Sequence, residues 1–243
     1  MRAGKGTTDD WNQWRADLLI GGAVPAPLRT DVEAIREALA DTEPEAVPGF
    51  IAIHDDLVVM DKPAGWVVHD AGGGAPDLSE WIGGLDPLHR LDMGTSGLVV
   101  YGRHAHAFAA LDDAPLKAYL ALVWGGTRPK GTIRRALADA RRGKPLEAVT
   151  KYRTVQRLGQ VSYVRVRIET GRKHQVRRHM EGMGHPVVGD ARYRGRRSQP
   201  LAGAPARMWL HSGQLHLEDG RHFEAPLPPS LAAHLEALRA SVG

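Results

Sequence analysis

The stretch Leu88–Val100 reads LHRLDMGTSGLVV and sets one carboxylate between an arginine and a glycine-rich turn. Asp92 follows Arg90 by two residues, and the turn 94–97 leads directly into the apolar run Leu98–Val100. A turn that is fixed to a buried strand holds its side chains in defined positions. The residues therefore allow two interpretations of Asp92, as a turn cap or as a reactive carboxylate.

A reactive Asp92 needs a cation nearby, because a partly buried aspartate without one takes up a proton and loses its charge. Arg172 lies in Thr170-Gly171-Arg172, where a predicted strand meets a predicted helix. We consider Arg172 a candidate partner for Asp92. From these residues alone, the cap and the catalyst remain equally open.

Alternation of apolar and polar residues predicts strands at 57–60, 98–101, 117–124, 161–168 and 208–217. In the third strand, Lys117 and Tyr119 share one face because side chains two apart point the same way. In the fourth strand the valines are expected inside, and Tyr163, Arg165 and Arg167 are expected outside.

Helical spacing and capping residues predict four helices, at 31–40, at 104–111, from near Arg172 to Gly182 or Gly184, and from Ser230 onward. Strands outnumber helices and do not alternate with them, so we predict an α+β fold with a largely antiparallel sheet. The acidic, proline-containing residues 1–48 are expected to form an N-terminal extension, and residues 49–243 the main domain.

Charge is segregated along the chain. The net charge of the 243 residues is only +4, but residues 128–207 contain 21 Lys and Arg against 5 Asp and Glu. A cationic segment of this kind favours binding to a polyanion such as RNA, because neutralising phosphates releases counterions. A solvated basic surface is the alternative.

Several classes of protein are disfavoured. The chain has no cysteine, which removes disulfides and thiolate chemistry, and no apolar run approaches the roughly 20 residues of a membrane span. His174 and His179 lack zinc-ligand spacing, and Ser96 lacks the surroundings of a hydrolase nucleophile. Trp66, Trp81, Trp124 and Trp209 are expected in the core. We expect a cytoplasmic protein without a metal or other cofactor.

The segment HRLDMGTSG at 89–97 resembles the signature of the RluA-type pseudouridine synthases, which isomerise uridine in RNA. Three further segments resemble that family in order and approximate spacing, namely DKPAG at 61–65, KAYLA at 117–121 and TGRKHQVR at 170–177. The chain departs from the family pattern at Lys173, where threonine is usual. The resemblance implies the pseudouridine synthase fold, a mixed sheet flanked by helices and loops with an active-site cleft across it.

By this resemblance Asp92, Tyr119 and Arg172 are the catalytic residues. Asp92 would be the essential carboxylate, either a nucleophile or a base, and Tyr119 would lie against the uracil ring. Arg172 would pair with Asp92 and keep it ionised. Arg90 would fill the gap that a flipped base leaves in the RNA.

The resemblance also implies residues that contact RNA, and these are Arg90, His89, Lys62, Lys117, Lys173, His174, Gln175 and Arg177. Lys62 is expected either to support the site or to contact a phosphate. The implied partner is a structured tRNA or rRNA, with no membrane and no obligate protein partner, and we expect a monomer. A noncatalytic RNA-binding protein on the same scaffold is the alternative function.

Overall fold

The computed structural model describes residues 47–69, 74–82, 85–102, 116–139, 142–194 and 201–242. The strands are β1 Gly49–Ile53, β2 Leu57–Lys62, β3 Asp86–Pro87, β4 Ser96–Gly102, β5 Leu116–Trp124, β6 Lys130–Arg134, β7 Leu137–Ala138, β8 Pro145–Leu146, β9 Val149–Leu158, β10 Val161–Ile168, β11 Leu210–His216 and β12 His222–Glu224. The helices are α1 Leu78–Trp81, α2 Gln175–Gly182 and α3 Pro229–Val242. None of these helices is long and apolar enough to cross a membrane.

One sheet organises the described residues, with the strand order β1-β2-β4-β11-β5-β10-β9-β6. Strand β3 pairs with β4, and β12 pairs with β11. All of these neighbours are antiparallel except β4 and β11, which are parallel. The predicted α+β fold with a largely antiparallel mixed sheet is confirmed.

The parallel junction fixes the start of β4, and with it the turn that carries Asp92. Ser212 of β11 lies opposite Gly97 on one side and opposite Tyr119 of β5 on the other. Gly97 has φ of 112°, and a Cβ at this position would overlap the Ser212 carbonyl. Only glycine permits this approach, which brings the Asp92 turn and Tyr119 to within one strand of each other.

Each face of the sheet buries apolar side chains. Helix α2 packs through Val176 and Met180 on the face that contains Tyr119. Helix α3 covers part of the opposite face through Leu231 and Leu235. The four tryptophans expected in the core are all buried, so that prediction is confirmed.

Two local predictions are wrong in instructive ways. Helix α2 begins at Gln175 instead of near Arg172, because His174 adopts a left-handed conformation with φ of 55° that interrupts the helix. Tyr163 was expected outside but is buried, with its ring edge-on to Trp209 and 5.7 Å between the ring centroids. Helix α3 covers this end of β10, which the alternation within the strand does not reveal.

The remaining predictions concern the strands and the other three helices. The strands expected at 57–60, 98–101, 117–124, 161–168 and 208–217 are present within one or two residues. Strand β9 was not predicted, and the last helix begins one residue before Ser230. The helices predicted at 31–40 and 104–111 lie outside the described residues.

The close approach of Gly97 to the Ser212 backbone predicts that a larger residue at this position lowers stability. Gly97→Ala should lower the free energy of unfolding by at least about 2 kcal/mol, because it combines a disfavoured φ with overlap against backbone. Gly126→Ala is the matched control, since Gly126 is exposed and no atom lies within 4 Å of its added Cβ. Urea unfolding of both variants checks this, and equal stability of the two would contradict the packing described for β4 and β11.

Candidate active site

The Asp92 carboxylate is held by side chains from another part of the chain. Its turn is closed by the backbone, with the Thr95 N–H donating to the Asp92 carbonyl at 2.9 Å. The carboxylate is 24% exposed, and its Oδ2 accepts a hydrogen bond from Arg177 NH1 at 3.0 Å. His174 Nε2 lies 3.7 Å from Oδ1. Both oxygens therefore face basic groups, which fits a reactive carboxylate better than a turn cap.

Arg177 joins two carboxylates. Its Nε and NH2 donate to Asp190 at 2.6 and 2.9 Å, while NH1 donates to Asp92. The Asp190 side chain is wholly buried, so its charge requires this pairing. Burial opposes ionisation of Asp190, but Arg177 and the backbone N–H groups of Tyr193 and Arg192 hold its pKa below the usual range. The pair fixes the guanidinium that faces Asp92.

Arg172 does not pair with Asp92, so the predicted partner is wrong. Its Nε donates to the Glu147 carbonyl at 2.9 Å, and the ion pair with Asp92 comes instead from Arg177. The break in helical conformation at His174 separates the two arginines. Arg172 lies in the loop before α2, whereas Arg177 lies in the helix.

His174 occupies an unusual backbone position beside Asp92. It is the one non-glycine residue with positive φ among those described. Strain of this kind costs about 1–3 kcal/mol and concentrates at functional sites. Its Nδ1 lies 2.9 Å from the Tyr193 hydroxyl, and the Tyr193 ring lies under Arg177 at 4.9 Å. Tyr193 therefore contacts both basic side chains that face Asp92.

Tyr119 lies on the same face of the sheet as the Asp92 site and is buried. Burial and the nearby Asp92 charge raise the pKa of Tyr119, which keeps it a neutral phenol. Lys117, two residues earlier on the same face, is also buried, and burial lowers its pKa to about 8. Burial, together with the Lys117 charge, lowers the pKa of His89 well below its usual range. The RNA contacts predicted for Lys117 and His89 stay predictions.

Two residues predicted to contact RNA are instead internal supports. Lys62 is fully buried, and its Nζ donates to the carbonyls of Pro63, Trp66 and Met93 at 2.8, 2.8 and 3.2 Å. Because Met93 follows Asp92, Lys62 ties the loop after β2 to the Asp92 turn. The predicted phosphate contact of Lys62 does not agree with this burial. The supporting role that we also considered does agree with this geometry.

Gln175 is the second internal support. Its Oε1 accepts from the Thr170 hydroxyl and the Arg172 N–H at 2.8 and 3.0 Å, and its Nε2 donates to Val149 and Thr150, each at 3.0 Å. The side chain is buried, so it closes the loop before α2 and is not available to RNA.

Arg90 and Lys173 are exposed, and the RNA contacts predicted for them stay predictions. Within the part of the chain that the structure describes, no group of three or more His, Asp or Glu side chains is arranged to hold a metal ion. The side chains that surround Asp92 and Tyr119 supply guanidinium, imidazole and phenol groups beside the carboxylate.

Sequence reasoning assigned no role to Asp190 or Tyr193, although both shape the site. The sequence does contain a signal for Asp190, because Asp190 and Glu181 are the only acidic residues in the basic segment 172–197. An acid in such surroundings is a candidate partner for a buried arginine.

Comparison with known proteins identifies the family. Residues 56–182 match the family described as RNA pseudouridylate synthase. The chain belongs to this family. It is an RNA pseudouridine synthase, an isomerase that acts on uridine in RNA, as the motif resemblance implied.

Relatives with 30% identity or more support this assignment. The ribosomal large subunit pseudouridine synthase D of Nitrosomonas europaea is 34% identical, over 85% of this chain and 72% of the relative. The protein of the same name from Pseudomonas aeruginosa is 32% identical, over 92% of this chain and 81% of the relative. The solved structure of human RNA pseudouridylate synthase domain containing 4 shares the fold, with a TM-score of 0.65, 22% identity, and coverage of 85% of this chain and 96% of that one.

The contacts of Arg172, before α2, and Arg177, within α2, predict different effects of their substitution on activity. Arg177→Gln should lower the rate of pseudouridine formation by about 100-fold or more, because it removes the donor that faces Asp92. Arg177→Lys should not restore the rate, since one ammonium cannot span two carboxylates as a guanidinium does. Arg172→Gln is the matched control and should cost less than about tenfold. A larger loss in the Arg172 variant would contradict the pairing described here.

Substitution of Lys62 should separate its two expected roles, internal support and phosphate contact. Lys62→Met should lower the free energy of unfolding by about 2–4 kcal/mol, because buried carbonyls lose their donor. The salt dependence of RNA binding should not change, because no phosphate contact is removed. A reduced salt dependence with unchanged stability would restore the phosphate-binding role.

The same variant carries a pH signature. Burial, with the nearby Arg207 charge, lowers the pKa of Lys62 to about 7, so between pH 7 and about 10.4 the unfolded chain binds one more proton than the folded one. The native protein gains stability as pH rises through this range, and the Met variant lacks that gain. The stability difference between them should therefore be larger at about pH 9 than at about pH 7.

Proposed function

We propose that Asp92 is the catalytic residue with which this pseudouridine synthase isomerises a uridine. In the reaction the bond between ribose C1′ and uracil N1 breaks and a bond between C1′ and C5 forms. The proton on C5 leaves and N1 gains one, so no electron or group is lost. The observation that carries the proposal is a partly exposed carboxylate whose two oxygens face Arg177 and His174.

Asp92 acts at the sugar while it is ionised. As a nucleophile it attacks C1′ and displaces the uracil, and as a base it takes a ribose proton, and both routes require the charged carboxylate. Arg177 keeps that charge in place and orients it, because the buried Asp190 prevents the guanidinium from turning away. The role that the motif resemblance implied for Arg172 is thus assigned to Arg177.

Tyr119 supports the uracil ring. A neutral phenol on the face of the sheet gives a flat surface on which a base can rotate in its plane while the bond to C1′ is exchanged. The raised pKa of Tyr119 supports this role, because it keeps the phenol neutral and so avoids a second negative charge close to the Asp92 carboxylate. Exposed Arg90, two residues before Asp92, fills the space that the flipped uridine leaves.

The substrate we propose is a structured segment of large-subunit ribosomal RNA. The support is the name shared by the relatives from Nitrosomonas europaea and Pseudomonas aeruginosa, of which the chain covers 72% and 81%. We assign the reaction to residues 49–243 acting as a monomer. The described elements from β1 to α3 belong to this range, and so do all the residues assigned to the site.

The decisive variant is Asp92→Asn, which keeps the shape of the side chain and removes its charge. We expect pseudouridine formation to be lost and RNA binding to be nearly unchanged. The measurement is pseudouridine mapping in ribosomal and transfer RNA from cells that lack the gene, after treatment with purified native or variant protein. Asp86→Asn is the matched control, since Asp86 is an exposed acid of β3.

The outcomes separate the parts of the proposal. Conversion by the Asn variant at the native rate would eliminate Asp92 as the catalyst. Loss of activity with pseudouridine mapped only to transfer RNA would leave the catalyst in place and overturn the ribosomal substrate. Intact binding with no conversion by the native protein would favour the noncatalytic RNA-binding alternative.

A further inference from the structure

Five exposed cations form a regular array on the sheet, away from Asp92. They are Lys130 of β6, Lys151 and Arg153 of β9, and Arg165 and Arg167 of β10. We name these five residues the basic grid. Adjacent strands are about 4.8 Å apart and alternate residues about 6.7 Å apart, so the grid is a compact, nearly flat patch.

The grid brings like charges into direct register. Lys130 lies opposite Arg153, and Arg153 lies opposite Arg165, which makes a row of three cations across three strands. In the next row Lys151 lies opposite Arg167. Like charges directly opposite each other destabilise a sheet, so this arrangement has a cost that folding alone does not explain.

The chain itself compensates little of this charge. Glu169 forms an ion pair with Lys151, and that contact, with the nearby Arg167, lowers the pKa of Glu169. Among the described residues none forms an ion pair with Lys130, Arg153 or Arg165. The row of three cations is therefore available to an anion from outside.

The grid lies on the face of the sheet opposite to Asp92. Val164 and Val166 of β10 pack in the cluster that contains Tyr119, so the alternating Arg165 and Arg167 point to the other face. Helix α3 covers that other face only at the end of β10 that carries Tyr163. The remaining part carries the grid.

Further cations lie between α2 and the grid at strand β6, which ends the strand order on that side. Arg135 follows β6 and donates to the carbonyl of Arg178 in α2 at 3.2 Å. Arg134, on the same strand, is exposed with Lys130. An RNA that enters at α2 therefore meets cations along the edge before it reaches the back of the sheet.

Two features identify the ligand chemistry. The partner must be a polyanion, because the grid offers only cations in close register. The tyrosines of β9 and β10, Tyr152 and Tyr163, are buried, so these strands offer no aromatic surface on which single-stranded bases could stack. The phosphate backbone of helical RNA is the polyanion that needs no such surface.

We propose that the basic grid is a second RNA-binding surface, which holds the phosphate backbone of a helical arm of the substrate on the sheet face opposite to Asp92. This inference rests on the proposed function, because the arm belongs to the RNA that carries the target uridine. Protection of an edge strand accounts for Lys130 alone. It does not account for Arg153 and Arg165, which lie on interior strands.

The experiment uses a probe that cannot enter the active site as substrate. A labelled RNA duplex of about 16 base pairs containing only G and C is long enough to present successive grooves and contains no uridine. Its binding to the full chain is measured across a salt series. The variant is Arg153→Gln with Arg165→Gln, which removes two cations of the row.

The control removes the same charge from another place in the cationic segment. It is Arg142→Gln with Lys144→Gln, two exposed residues between β7 and β8. At about 0.1 M salt the grid variant should bind the duplex about tenfold or more weakly, with a slope of log affinity against log salt that is lower by about 1.4–1.8. The control should change the affinity less than about twofold.

Equal losses in the two variants would overturn the proposal, because binding would then follow net charge alone. An unchanged affinity of the grid variant would also overturn it. Urea unfolding excludes a folding defect, since relief of the repulsion should leave stability unchanged or higher. The duplex contains no uridine, so its binding does not depend on Asp92. Failure of the grid is therefore distinguishable from failure of the catalytic assignment.

Discussion

One guanidinium holds the site together. Arg177 binds Asp92, 85 residues earlier in the chain, and Asp190, 13 residues later, with separate nitrogens. Asp190 is wholly buried, and a buried charge without its partner is strongly unfavourable, so the guanidinium cannot leave without a large loss. The Asp92 turn, helix α2 and the segment after α2 are consequently fixed relative to one another by the same group that faces the Asp92 carboxylate.

The sheet supplies the second constraint on the site. The parallel pairing of β4 with β11 requires a glycine at Gly97, and the same pairing sets the start of β4 one strand away from Tyr119. Lys62 then ties the carbonyl after Asp92 to the loop that follows β2. The carboxylate and the aromatic ring are therefore positioned by backbone pairing and buried hydrogen bonds.

The motifs predicted the strands, the α+β fold, and the common face of Lys117 and Tyr119, because these depend on local alternation and on segments that resemble a family. They did not predict which arginine faces Asp92. Arg172 and Arg177 lie five residues apart, and the left-handed His174 between them decides which one points at the site. The burial of Tyr163 depends on α3, whose packing against β10 joins distant parts of the chain.

The two-residue period of a strand links the two proposed RNA contacts. The valines of β10 lie beside Tyr119 on one face of the sheet, and the arginines that alternate with them form part of the basic grid on the other face. A change of register would exchange these faces, so the grid cannot move without loss of the core that supports the site. From β4 to β9 there are four strand spacings, or about 19 Å. Because the grid and Asp92 lie on opposite faces, this length is their lateral offset within the sheet, and an RNA that binds both as proposed must carry a helical arm around the edge of the sheet, a requirement of shape that involves no reading of bases.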